Sequence, residues 1–389
     1  MHPSKVYYWF LGLTTAGMLS TAATYAPFLF SLGLTVSDVA ALNVWFWFVI
    51  IIAEVPTGML ADGKSRSWSV LTGITIQFCG IVTYACAQGF WSALAGEVLE
   101  GIGMAFISGA LQAWLVDALH ARGEGARIRK TFGTGSLIRG AVGMCAGVLS
   151  ALIGTVSLRF GWVMNALFMA GAIFCAHRCM TDEGEPSHRL KEWAALDRSV
   201  AVLRKTRSLQ WAIAAAMVFG LVVPFNHYWS PIFRDQVGPE MMWLVWLPMY
   251  GSLVVIGFLI RRLSIPVGEE GGFVAVALIC AGLGLVGLGG SVGVAASIGF
   301  VMLHEAGRGA FEPLLDSFTN HRIESNFRAT YGSLQSLLGR IGFAVTLIAV
   351  WAFTRGEQAA IPLLKQILFV CGVLLCGASI VLFFIRPKQ

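Results

Sequence analysis

Twelve apolar runs of about 20 residues or more follow one another along this chain, and each is long enough to cross a ~30 Å hydrocarbon core as a helix. They lie near 7–32, 38–61, 68–88, 91–119, 130–154, 159–179, 208–233, 240–260, 271–290, 294–319, 329–354 and 360–385. Most of the connections are short. The exception is a charged stretch at 181–207, expected to be a cytoplasmic linker between bundles at 1–180 and 208–389. Within it Leu190, Trp193, Leu196, Val200 and Leu203 recur at helical spacing. That pattern suits either an amphipathic helix on the inner leaflet or a solvated tether. The first run is too long for the core of a signal peptide and reads as a retained helix.

Composition agrees. Only 12% of the 389 residues are charged and 57% are apolar, with a mean hydropathy of +0.74. A water-soluble surface needs roughly twice that charge, about 25%. The eight cysteines are scattered, as at Cys79, Cys145, Cys280 and Cys371, and read as small buried apolar residues. No metal site and no cofactor is expected.

The net charge of +6 is explained by where the bases fall. With both termini cytoplasmic, inner loops and ends hold Lys5, Lys64, Arg66, Arg122, Arg127, Arg129, Lys130, Arg178, the bases of the linker, Arg261, Arg262, Arg322, Arg328, Arg386 and Lys388. Outer loops hold only Arg159, Arg234 and Arg355. This is the positive-inside bias of a multi-pass membrane protein, and it removes the case for a nucleic-acid partner.

A shift of 199 residues brings the halves into partial register. Gly58 and Leu60 meet Gly257 and Leu259, and Asp117 meets Asp316. RKTFG at Arg129–Gly133 meets RATYG at Arg328–Gly332, and Gly140 and Gly143 meet Gly339 and Gly342. The expected fold is therefore an all-α membrane protein of twelve transmembrane helices in two parallel-related six-helix bundles. In that plan the substrate site lies between the halves.

The stretch EVPTGMLADGKSR, Glu54 to Arg66, resembles the G-x-L-A-D-R-x-G-R-[K/R] signature of the major facilitator superfamily. Gly58, Leu60, Ala61, Asp62 and Arg66 match it, while Ser65 and Ser67 depart from it. The second-half copy, GFLIRRL, has Arg261 where the acid would stand. The resemblance covers essentially the whole chain and implies a cytoplasmic latch. Arg66 would pair with Asp117, and Asp62 would face the helix start near Arg328, with Asp316 as the second-half counterpart of Asp117. The run Phe106–Asp117 resembles a bacterial, drug-efflux-like branch. Two departures stand out: Glu97 replaces the Arg of R-x-x-x-G-x-G, and the fifth span lacks the Gly-Pro pair of drug/proton antiporters.

The resemblance also implies that spans 1, 4, 7 and 10 line a cavity, and they carry its polar groups: Thr14, Thr21, Thr24 and Tyr25; Glu97, Glu100, Ser108 and Gln112; Asn226, His227 and Tyr228; and the stripe His304, Glu305, Arg308, Glu312, Asp316. A charged residue at mid-span costs about 2.5–3.5 kcal/mol on insertion scales, so these groups should face protein or water. Glu305 and Glu312 lie three before and four after Arg308, so either can pair with it. An Arg that changes partner would load or release a proton on one of them. Glu97, His304 and His227 are further proton-coupling candidates, and a permanent structural ion pair is the alternative. Arg139 and Arg340 would snorkel, pair with acids or receive an anionic group, pairing being favoured. HEAGR at His304 falls short of H-E-x-x-H because Arg308 cannot ligate zinc, so no enzyme is expected.

The expected function is secondary active transport of a small molecule by alternating access, with protons as the coupling ion. Export by antiport is favoured because aromatic and Met residues crowd Met241–Tyr250. Proton-coupled uptake of a nutrient or metal chelate is the alternative, with a lipid flippase or a non-transporting sensor behind it. A monomer in the bacterial cytoplasmic (inner) membrane is the expected setting.

Overall fold

A computed structural model describes residues 1–182, 203, 206–260, 262–263, 265–266, 268–291, 293–323 and 328–387. Among these there is no strand. The linker pattern at 190–200 lies outside the described residues.

The helices are α1 (Pro3–Leu19), α2 (Tyr25–Ser31), α3 (Val36–Gly63), α4 (Arg66–Ala85), α5 (Phe90–Ile107), α6 (Ala110–Ala121), α7 (Ile128–Val156) and α8 (Phe160–Cys179). They continue with α9 (Arg207–Val218), α10 (Val223–Val237), α11 (Met242–Ile260), α12 (Glu270–Gly290), α13 (Val294–Asn320), α14 (Arg328–Phe353) and α15 (Ile361–Phe384). The chain divides into two compact units. One comprises Met1–Arg189 with Pro239–Trp243, the other Leu190–Gly238 with Leu244–Gln389.

Local chemistry sets the helix starts. The Thr35 hydroxyl accepts from the Asp38 amide at 3.1 Å while the Asp38 carboxylate accepts from the Thr35 amide at 2.8 Å, a capping box that opens α3. Ser65 accepts from the Trp68 amide at 3.1 Å and opens α4.

Ten helical stretches among the described residues are long and apolar enough to cross a membrane. Two of the twelve expected spans do not meet that measure, for separate reasons. The first is broken between α1 and α2, and neither piece is long enough alone. The tenth, α13, is 27 residues long but carries Glu305, Arg308, Glu312 and Asp316.

The break in the first span is closed by side chains. The Ser20 hydroxyl donates to the Gly17 carbonyl at 2.6 Å and reaches the Gly161 carbonyl of α8 at 3.1 Å. The Ala23 amide donates to Ser150 Oγ of α7 at 3.0 Å. In lipid, backbone groups released at a break must be satisfied in this way. The fourth span, expected to be continuous, is also broken, between α5 and α6. Gly109 adopts φ +78 there, a conformation glycine reaches without a Cβ penalty. In the seventh span a 3₁₀ turn at Phe219–Val222 precedes Pro224. Pro224 fits because the first turn of α10 has no intrahelical acceptor for its missing N–H.

Within the first unit α1 packs on α7 and α8, α4 on α5 and α8, and α3 on α5. The α4–α5 contact uses small residues. A Cβ on Gly73 would lie 2.7 Å from the Gly103 carbonyl, and one on Gly80 would lie 2.8 Å from the Gly96 carbonyl. Lipid tails are as apolar as the side chains, so close approach of this kind, rather than escape from water, drives helix association. In the second unit α12 packs against both α13 and α15. Its core includes a stacked Phe219–Phe311 pair, 4.2 Å between centroids, and Trp211, whose Nε1 donates to the Leu382 carbonyl at 2.9 Å.

Candidate functional site

Two groups of buried polar side chains form, one in each unit. In the second unit α13 presents its stripe unevenly. His304 and Glu305 are buried, Arg308 is partly covered, and Glu312 and Asp316 are exposed. Arg308 Nε donates to Glu305 Oε2 at 3.0 Å, and its NH2 lies 2.9 Å from the same oxygen. Its NH1 donates to Asn226 Oδ1 of α10 at 2.6 Å. The guanidinium thus joins a buried carboxylate on its own helix to an amide on the neighbouring one. Of the two acids expected to compete for Arg308, the structure pairs only Glu305. Glu312, one helical turn beyond Arg308, is exposed.

His304 Nδ1 lies 2.9 Å from the Ala281 carbonyl, and its ring sits 4.4 Å from the Phe225 ring. A carbonyl can only accept, so the Nδ1–H tautomer is assigned, which leaves Nε2 as a bare acceptor with no hydrogen-bond partner. Tyr228 is buried and lies edge-on to His227, 6.3 Å between centroids.

In the first unit Glu97 of α5, 6% exposed, accepts a hydrogen bond from the Tyr84 hydroxyl of α4. Tyr84 stacks on Trp162 of α8 at 4.2 Å with the rings 4° from parallel. Tyr25 of α2 closes the group, 6.1 Å from Trp162 and 6.4 Å from Tyr84, and its hydroxyl accepts from Asn43 Nδ2 at 2.8 Å. Glu100, one turn along α5, keeps a buried Oε1 with no hydrogen-bond partner. Glu97, Glu100 and Tyr25 are thereby brought together, whereas Gln112 is exposed on α6 and Arg139 is exposed on α7. Near the break of the fourth span, Ser108 donates to Glu54 Oε1 at 3.2 Å.

At the helix ends Arg66 NH1 meets Asp117 Oδ2 at 2.5 Å. The side chains of Asp62 and Arg328 are outside the described part of the structure. The second unit has a clasp at the matching place with its charges exchanged. Glu270, at the start of α12 and 1% exposed, meets His321 Nδ1 at 2.8 Å and Arg322 NH1 at 3.6 Å just past the end of α13. Glu270 thus stands at the helix start that Arg66 occupies in the first unit.

Sequence reasoning did not single out Tyr84, Trp162, Asn43 or Glu270. For Tyr84 a signal existed. Gly73 and Gly80 on α4, and Gly96 and Gly103 on α5, repeat at one spacing, and antiparallel packing on those pairs lays the Tyr84 ring against Gly96, next to Glu97. The run Met241–Tyr250 buries one face: Met242, Val245, Trp246 and Met249 are covered, and Trp246 stacks on Tyr250 at 5.0 Å.

The sequence profile of the Major Facilitator Superfamily matches residues 8–347. No curated protein matches the chain by sequence. Among solved structures, the chain is similar to an auto-inhibited POT family peptide transporter, with a TM-score of 0.78, 12% identity, and coverage of 100% of this chain and 98% of that one. It is also similar to the nucleoside transporter NupG, with a TM-score of 0.68, 14% identity and coverage of 98% and 99%. A bacterial homologue of the human lysosomal transporter Spinster, inward-facing and unoccupied, gives a TM-score of 0.73, 13% identity and coverage of 98% and 96%. At these identities the likeness is one of fold.

Proposed function

The chain belongs to the major facilitator superfamily, and from that premise we propose that it is a proton-coupled secondary transporter that exports a small, partly apolar compound by alternating access. The broken first span and the charged tenth complete twelve crossings, with both termini cytoplasmic, in a monomer of the bacterial inner membrane. The run Phe106–Asp117 supports placing it with the drug-efflux-like branch. The Arg66–Asp117 pair, at 2.5 Å, acts as the inner latch of the first unit, opened and remade in each cycle.

The observation that carries the coupling reading is the Glu305–Arg308–Asn226 chain. With the guanidinium beside it, Glu305 is stable as a carboxylate. When Arg308 turns away from Glu305 toward a substrate, the buried carboxylate needs another counter-charge, and a proton supplies it. His304, hydrogen-bonded to the Ala281 carbonyl, has a structural part in this reading.

Proton movement in reconstituted vesicles tests the reading, with a panel of cationic, neutral and anionic compounds added to wild type and Glu305→Gln. Proton flux opposite to the compound, abolished in the variant, is the expected result. Flux in the same direction would convert the reading to uptake. Coupled transport unchanged in Glu305→Gln would return the ion pair to a structural role.

A further inference from the structure

Two acids of the first unit, buried Glu97 and half-buried Glu100, differ from Glu305 in what faces them. Glu97 and Glu100 lie on successive turns of α5, and among the described residues neither has a basic side chain in contact. Glu97 has the Tyr84 hydroxyl, and Glu100 Oε1 has no partner. Around them stand aromatic rings contributed by separate helices: Tyr25, Tyr84 and Trp162. Trp162 is 2% exposed and its Nε1–H also lacks an acceptor. Two carboxylates, π-faces and an unused N–H make a set that attracts positive charge and shields it from water.

We propose that Tyr25, Tyr84, Glu97, Glu100 and Trp162 form a binding site for a monovalent organic cation, an amine or quaternary ammonium bearing an apolar group. The inference rests on the transporter reading and names its substrate class. The carboxylates supply the counter-charge, the rings supply cation–π and apolar contact, and an acceptor atom on the ligand takes the Trp162 N–H. A metal ion fits poorly. Mg²⁺ and Ca²⁺ require about six oxygen ligands, whereas aromatic rings provide none, and no group of three metal-binding side chains occurs among the described residues. An anion fits worse, since both acids would repel it. The Glu305 site is unsuited to the cation because Arg308 already occupies its carboxylate.

Isothermal titration of the purified full-length chain tests this with tetraphenylphosphonium and benzyltrimethylammonium, and with neopentylbenzene as the neutral counterpart of the latter. Wild type should bind the cations and not the neutral compound. Glu100→Gln should weaken cation binding at least about tenfold, and Trp162→Leu should weaken it severalfold. Glu124→Gln should bind as wild type, and the thermal midpoint of each variant verifies that it is folded. Wild type that binds neither cation, that binds neopentylbenzene as tightly as benzyltrimethylammonium, or that loses nothing in Glu100→Gln overturns the inference. Transport of other compounds without cation binding would sink this inference alone. Cation binding without any transport would sink the functional reading and leave the site standing.

Discussion

Glu97 and Glu305 are buried acids on α5 and α13, and the protein stabilises them by opposite means. Glu305 has its counter-charge three residues away on the same helix, so the pair forms wherever α13 is helical. Glu97 depends on a phenol from the neighbouring helix, and Glu100 beside it has no hydrogen bond to one oxygen. The second unit carries its own cation; the first offers aromatic rings and spare carboxylate. Each unit thus holds a buried acid, but what answers it differs. The clasps at the helix ends repeat the lesson. Arg66–Asp117 and Glu270–Arg322 join the same helix ends with base and acid exchanged.

The comparison can be broken most decisively at Arg308. Arg308→Met strands the Glu305 carboxylate, and breaking a buried pair by removing one partner costs about 3–5 kcal/mol. Thermal unfolding of the full chain should fall by several degrees, and the double variant with Glu305→Leu should recover most of it. A single variant as stable as wild type would show that a proton, water or another group serves Glu305 in place of the guanidinium.

A smaller effect is expected at Tyr84. Tyr84→Phe keeps the ring against Trp162 and removes only the donor to Glu97, which should cost about 1–2 kcal/mol. The same measurement decides it: a loss as large as that of Arg308→Met would mean that the phenol is as indispensable as the guanidinium. Almost no loss would mean that Glu97 does not need its donor.

The smallest effect marks the water-exposed limit. At a helix end outside the membrane, Glu124 accepts from His2 Nε2 at 3.0 Å and from Arg127 NH1 at 2.8 Å. Slight desolvation raises its pKa, and the two hydrogen bonds outweigh that and hold it below the usual carboxylate value. A depressed folded value means that the stabilisation is present above the unfolded pKa and lost as pH falls through the folded one. Thermal midpoints of wild type and Glu124→Gln should therefore differ slightly at neutral pH and converge in acid. A gap that persists in acid would show that the effect is not carried by the charge.

Much of the fold was legible because its signals are local. Apolar length marks a span, and the i, i+3 spacing of Glu305 and Arg308 produced their ion pair. The linear pattern was blind to interruptions. The break after Leu19 depends on Ser150 and Gly161 from distant helices, and that at Gly109 depends on one residue's φ. Sequence symmetry located the acid of the first clasp but not Glu270, because the repeat had moved the charge to another position.

Run lengths and hydropathy by themselves determined that this is a helical membrane protein, since a spanning helix satisfies its backbone within its own residues. The partner of each buried acid divides along the same line. Arg308 could be read from the chain because helical geometry is set over three residues. Tyr84, Trp162 and the second clasp were decided by tertiary structure, because a contact between helices depends on their register, and that register comes from close packing at Gly73–Gly103 and Gly80–Gly96.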